Sequence, residues 1–150
     1  MQFETEAQQT CFEKIKPWTL DYFETAFVPD YGIPAIVVPM GSAAAMVEVF
    51  PWGERDTIIR TWAYVVTQAD LTPELLRFLL QKNVEMNFGA FGIDGAGDIR
   101  LEHAIVGSTC DSNELQSSLV GVLTAADRYD DEIVSRWGGK RAIDRYLAMG

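Results

Sequence analysis

Apolar residues at Phe3, Ala7, Cys11 and Ile15 recur at every fourth position with Glu4, Glu6 and Glu13 between them, which predicts an amphipathic helix. Pro17 has no N–H for a helix interior, so the helix ends or kinks at Lys16-Pro17. Trp18, Tyr22 and Ala26 keep the spacing and would carry a continuation to about Phe27. Val28-Pro29-Asp30-Tyr31-Gly32 reads as a loop. The period then changes. Ile33 to Met40, Ala43 to Trp52 and Asp56 to Thr67 are rich in Val, Ile, Thr and aromatics, and only Gly41-Ser42 and Gly53-Glu54-Arg55 separate them. Gaps this short predict an antiparallel meander.

Thr72-Pro73 supplies an N-cap and a first-turn proline for a second helix. Leu75, Leu76, Phe78, Leu79 and Leu80 make it apolar over most of its circumference, so burial on several faces is expected. Asn87 to Ile93 and Asp98 to Gly107 read as two strands joined by the turn Asp94-Gly95-Ala96-Gly97. Asp111-Ser112-Asn113 caps a long helix in which Leu115, Leu119, Val122, Ala126, Tyr129, Ile133 and Trp137 repeat by threes and fours. Gly138-Gly139 breaks it before a short last helix from Lys140 to Met149. Strands joined by hairpins cannot be parallel neighbours. The order α-β-β-β-α-β-β-α-α therefore predicts an α+β fold with a five-stranded, mostly antiparallel sheet and helices packed on one face.

Residues 1–150 carry no repeat, low-complexity tract or linker and read as one domain of ordinary composition, 48% apolar and 23% charged. Twelve basic against twenty-two acidic residues give a net charge of −10, which disfavours nucleic acid and anionic membrane partners. The only cysteines, Cys11 and Cys110, are far apart and outside any CxxC spacing, so neither a disulfide framework nor a thiol redox motif is indicated. The N-terminus lacks the basic and apolar segments of a signal peptide, and no apolar run approaches the roughly 20 residues of a membrane span. A cytoplasmic setting is expected.

Strand alternation sorts the sheet residues by face. Arg60, Trp62 and Tyr64 fall opposite Thr61, Ala63 and Val65; Met46, Glu48 and Phe50 fall opposite Val47 and Val49; Arg100, Glu102 and Val106 fall opposite Ile99, Leu101 and Ile105. The first-named sets mix aromatics with charges, which suits a face that is dry when occupied and tolerable when free. Met46, Phe50, Trp62 and Tyr64 are thus candidates for a partner-binding or dimer face. The competing reading makes them core beneath loops.

Little else points to chemistry. His103, the only histidine, lies in a half-buried strand with no assignable nucleophile or orienting carboxylate, and is read as structural or surface. One histidine and two distant cysteines leave a transition metal without ligands, so no metal or other cofactor is expected. Gly89, Gly92, Gly95 and Gly97 fit no phosphate-loop spacing and read as strand and hairpin glycines. Asp94 and Asp98 lack the rest of an EF-hand. The run Asp127-Arg128-Tyr129-Asp130-Asp131-Glu132 reads as a solvated helix face, and Lys140, Arg141 and Arg145 as complements to a helix end or to that acidic run.

Asn87, Gly89-Ala90-Phe91, the turn Asp94-Gly95-Ala96-Gly97-Asp98, Ile99-Arg100-Leu101-Glu102, Gly107-Ser108-Thr109 and Glu114-Leu115 together resemble the YbjN-like proteins, grouped with type III secretion chaperones. The wording is most similar to cyanobacterial members. The resemblance covers roughly residues 87–137 by sequence and the rest by element order. It implies a non-enzymatic, chaperone-like or adaptor protein, often a homodimer, that holds a segment of another protein in apolar grooves or at a sheet edge. It supplies no catalytic residue. In secretion chaperones the first helix region joins the sheet in binding, which adds Trp18 and Phe23 to the partner-binding candidates, although Pro17 and the aromatics around it depart from the simplest family pattern. Two alternatives stand beside this reading. One is a small-molecule binder or small enzyme with a pocket between sheet and long helix around His103, Asp98 and Arg100. The other is a dedicated assembly factor for one complex.

Overall fold

The computed structural model describes residues 1–144. In chain order the elements are α1 (Glu6–Tyr22), β1 (Ala35–Met40), β2 (Ala43–Trp52), β3 (Asp56–Thr67), α2 (Pro73–Glu85), β4 (Ala90–Ile93), β5 (Ile99–Val106), α3 (Ser112–Trp137) and β6 (Lys140–Arg141). The sheet has the order β1-β2-β3-β5-β4, every pairing is antiparallel, and β6 adds a sixth strand on β3 through Val66↔Arg141 and Thr67↔Lys140. The expected count of five falls short by β6, whose two residues the spacing places in the last helix. Two residues carry no period, so no pattern could mark them as a strand. Helical geometry begins at Ala142, and the remainder of the predicted last helix, Arg145 included, lies outside the described residues.

α1, α2 and α3 cover one face of the sheet. α3 packs along β2, β3 and β5, burying Leu115, Leu119, Val122, Leu123, Ala126 and Ile133 against Val47, Ile59, Ala63, Leu101 and Ile105. Its N-cap, Asp111, accepts the Glu114 N–H at 2.7 Å, and Gly138 ends it with a φ of 73°. α1 starts at Thr5, whose hydroxyl accepts the Gln8 N–H, and buries Cys11, Phe12 and Ile15. Pro17 neither ends nor truncates it: Pro17 and Glu13 both face solvent, so water can take the carbonyl that the proline leaves unbonded. The continuation to Phe27 does not form. The helix stops at Tyr22, and Phe27 instead bridges to Val37.

Three strands are shorter than predicted: β1 starts at Ala35, β4 at Ala90 after Gly89 turns with a φ of 87°, and β5 runs only from Ile99 to Val106. At the end of β5, Gly107 approaches β3 so closely that a Cβ would stand 1.8 Å from Thr57 Oγ1, and only glycine fits.

Two burial expectations fail. α2 buries Leu75 and Leu79 but leaves Leu80 66% and Val84 87% exposed, because only one side of the helix meets the sheet and α3. The run from Asp127 to Glu132 is not wholly solvated either: Asp130 is 2% exposed, turned toward the β1–β2 hairpin.

Candidate partner-binding face

The sheet face opposite the helices holds the four strand candidates together. Met46 stands opposite Trp62 across the β2–β3 ladder, Phe50 opposite Ile58, and Tyr64 opposite Arg100 across β3–β5. Trp62 and Tyr64 meet edge to face at 5.6 Å, and both are half-buried, whereas Phe50 and the neighbouring Trp52 are exposed. None of the four is fully buried, which does not fit a core beneath loops.

Charged side chains tie the aromatics down. Trp62 Nε1 donates to Glu48 Oε1 at 2.9 Å, and Tyr64 Oη donates to Asp94 Oδ2 at 2.7 Å. Arg100 places its guanidinium carbon 4.3 Å from the Trp62 ring and 5.4 Å from the Tyr64 ring while pairing with Glu102. Arg60 lies over Phe50 at 5.5 Å. Hydrogen bonding to Asp94 pushes the Tyr64 hydroxyl above its ordinary pKa, and the same bond holds the Asp94 carboxyl below the usual range. Aromatics fixed in this way have less rotamer freedom to lose when a partner covers them. The roles of Ile58, Asp94 and the Arg100 stack were not read from the sequence. Alternation marks Ile58 and Arg100 as outward, but only the register shows what each one meets.

Trp18 and Phe23 do not join this face. Both are partly buried in the helix layer at the end of α1, with Lys14 Nζ 5.7 Å over the Trp18 ring and Tyr22 edge-on to Phe23 at 4.7 Å.

The sheet edges are largely occupied. Val37 of β1 exchanges both backbone hydrogen bonds with Phe27, at 2.9 and 2.8 Å, and the carbonyl of Pro39 accepts from Thr25 Oγ1 at 2.8 Å. On β4, the Asn83 side chain accepts the Phe91 N–H at 2.7 Å and donates to its carbonyl at 3.3 Å, standing where a further strand would pair.

The pocket alternative does not assemble. Arg100 faces outward; His103 faces inward, its Nδ1 2.8 Å from Ser118 Oγ and its ring edge-on to Phe88; Asp98 accepts the Gln68 N–H at the head of β5. Burial lowers the His103 pKa. A cleft of about 630 Å³ lies between α3 and the 86–88 turn, lined by Phe88, Gln116, Val120 and Arg128, and includes none of the three. Among the described residues no three His, Cys, Asp or Glu side chains converge as metal ligands, and no helix is long and apolar enough to cross a membrane. Cys11 and Cys110 are buried free thiols, and burial pushes the Cys110 thiol up to about 11.

A chain of the HopA1–SchA chaperone–effector complex shares the fold, with a TM-score of 0.60 and 11% identity over 82% of this chain and 96% of that one. A chain of the ExsC–ExsE complex does so with a TM-score of 0.56 and 14% identity over 84% and 95%. No curated protein matches the sequence. Residues 33–145 match the family described as T3SS (YopN, CesT) and YbjN peptide-binding chaperone 1, a span that takes in the whole sheet and its outward aromatic face, and the chain belongs to that family.

Proposed function

We propose that this protein is a non-enzymatic chaperone or adaptor that holds a segment of another protein against the outer face of its sheet, with Met46, Phe50, Trp62 and Tyr64 as the contact surface. One observation carries the reading: among the described residues α1, α2 and α3 cover one face of a six-stranded sheet and leave the other bare, lined by aromatics already fixed by hydrogen bonds and cation–π contacts. Occupied edges favour the face over strand addition. Trp18 and Phe23 belong to this proposal only as a second contact region, reached by a client that wraps from the sheet to the end of α1. A net charge of −10 favours basic or amphipathic clients. Buried, unpaired cysteines suit a reducing cytoplasm.

The protein works as a homodimer in this reading. Leu76, Leu80 and Val84 form an exposed stripe at successive turns of α2, bordered by Pro73, Arg77 and Gln81. Its flanking charges, Glu74, Arg77, Lys82 and Glu85, cancel, so two copies meet there without the repulsion that the rest of the surface imposes.

The test compares the wild type with Trp62→Glu, each tagged and recovered from native cell extract, with bound proteins identified by mass spectrometry. The expected result is a near-stoichiometric protein on the wild type that is lost from a variant with unchanged circular dichroism. Equal recovery on both would overturn the assignment of this face.

A further inference from the structure

We propose that Asp130 and Ser42 form a proton-loaded latch that fastens the β1–β2 hairpin to α3 and loosens as pH rises. Ser42 Oγ lies 2.6 Å from Asp127 Oδ1 and 2.6 Å from Asp130 Oδ2. Its hydroxyl has a single proton, which can bridge one of these contacts. The other needs a proton from a carboxyl group, since two bare acceptors that close repel each other. Asp127 is exposed and also accepts the Ser42 N–H at 2.8 Å, so it is the better carboxylate. Asp130, 2% exposed, is where the additional proton resides. Its Oδ1 accepts the Asp131 N–H, leaving Oδ2 as the protonated oxygen that donates to Ser42, while Ser42 donates onward to Asp127.

The charges around Asp130 agree with this placement. The Asp131 charge, on its own helix, opposes its ionisation, whereas the hydrogen bonds with Ser42 and from the Asp131 N–H favour it. Arg141 on β6 favours ionisation, but its guanidinium is held by Asp144 at 2.8 and 2.9 Å and lies 3.7 Å from Asp131. The β1–β2 turn contributes Ser42, which is uncharged. Burial is the largest influence and pushes the Asp130 carboxyl upward. The docking is close: a Cβ on Gly41 would stand 2.7 Å from Asp127 Oδ1. Loss of the proton leaves two anions competing for one hydroxyl, and the hairpin loses one of its two anchors on α3.

A carbon-detected NMR titration of the wild-type aspartate carboxyls tests this directly. Asp130 should titrate above the ordinary 3.8, with Asp127 below it. Asp130→Asn places a neutral donor where the protonated oxygen stood, so it should melt no lower than the wild type, and its advantage should widen as pH rises through the Asp130 transition. Asp130 titrating at or below 3.8 would overturn the latch, as would Asp130→Asn losing the same stability at acid and alkaline pH. The titration uses the wild type, so it decides the matter even if the variant does not fold.

Discussion

Trp62 is held from its edge by Glu48, from its face by Arg100 and from the side by Tyr64, yet it stays half-exposed on the sheet face opposite the helices. If this face binds a client as proposed, such a residue contributes to binding more than to folding. Trp62→Ala should weaken association with a captured client by about 2 kcal/mol or more, the scale of an interface anchor, with a much smaller change in the denaturation midpoint. Comparable losses in both would make Trp62 a core residue. His103 presents the opposite case. Its ring is turned inward to Ser118 and Phe88, and burial is the main cause of its lowered pKa, opposed by Glu114. A folded-state pKa below the unfolded 6.5 means that the unfolded chain binds the proton more readily. Stability is therefore complete above 6.5 and falls as pH drops from 6.5 toward the folded value. Denaturant midpoints measured against pH should show this slope in the wild type and a flatter one in His103→Gln. A slope unchanged by the substitution would rule His103 out as its source. The sequence identified the strand faces that hold both residues, because period two is a backbone property. It could not supply the cross-strand partners, because register depends on turns and bulges elsewhere in the chain.

At the scale of elements, legibility followed length. β2 and β3 were bounded correctly by alternation and tight turns, and α3 by its cap and its spacing. The two-residue β6 and the bridge at Phe27 have no period to read. α2 shows why apolar content alone misleads: Leu75 and Leu79 meet the sheet side, while Leu76, Leu80 and Val84 project into solvent, and composition cannot distinguish a buried flank from an interface. If that stripe joins two copies, Leu80→Glu should weaken the dimer by about 2 kcal/mol, roughly thirtyfold in Kd, without disturbing a helix whose Leu80 is already exposed. Light scattering across a concentration series measures this. A wild type that stays monomeric at micromolar concentration, or a variant that stays dimeric, would remove α2 from the assembly. The β4 edge offers a further test. Asn83→Ala leaves the Phe91 backbone without its partner and should cost about 1–3 kcal/mol. Amide exchange at Phe91 should accelerate selectively, and unchanged protection there would show that Asn83 is not the edge cap.

The whole molecule carries ten more negative than positive charges, yet the outer sheet face and the α2 stripe are locally close to balanced. On the outer face Arg60 and Arg100 stand among Glu48, Glu102 and Asp94, and on α2 the flanking charges cancel. Acidity is thus concentrated away from the two proposed contact surfaces, where in the proposed mode it would act at a distance, repelling anionic polymers and drawing in basic segments while doing little once apolar contact is made. This division of labour predicts different salt responses for the two rate constants. For a client bearing a basic segment, the association rate should fall by about tenfold between low and roughly half-molar salt, as screening shortens the reach of the field. The dissociation rate should change little if, as proposed, the bound segment is held by Met46, Phe50, Trp62 and Tyr64 rather than by exposed ion pairs. Stopped-flow or surface-based kinetics on a client captured with the wild type separates the two. An association rate indifferent to salt would show that the net charge serves solubility alone. A dissociation rate rising steeply with salt would place the holding energy in charge pairs and count against the aromatic face.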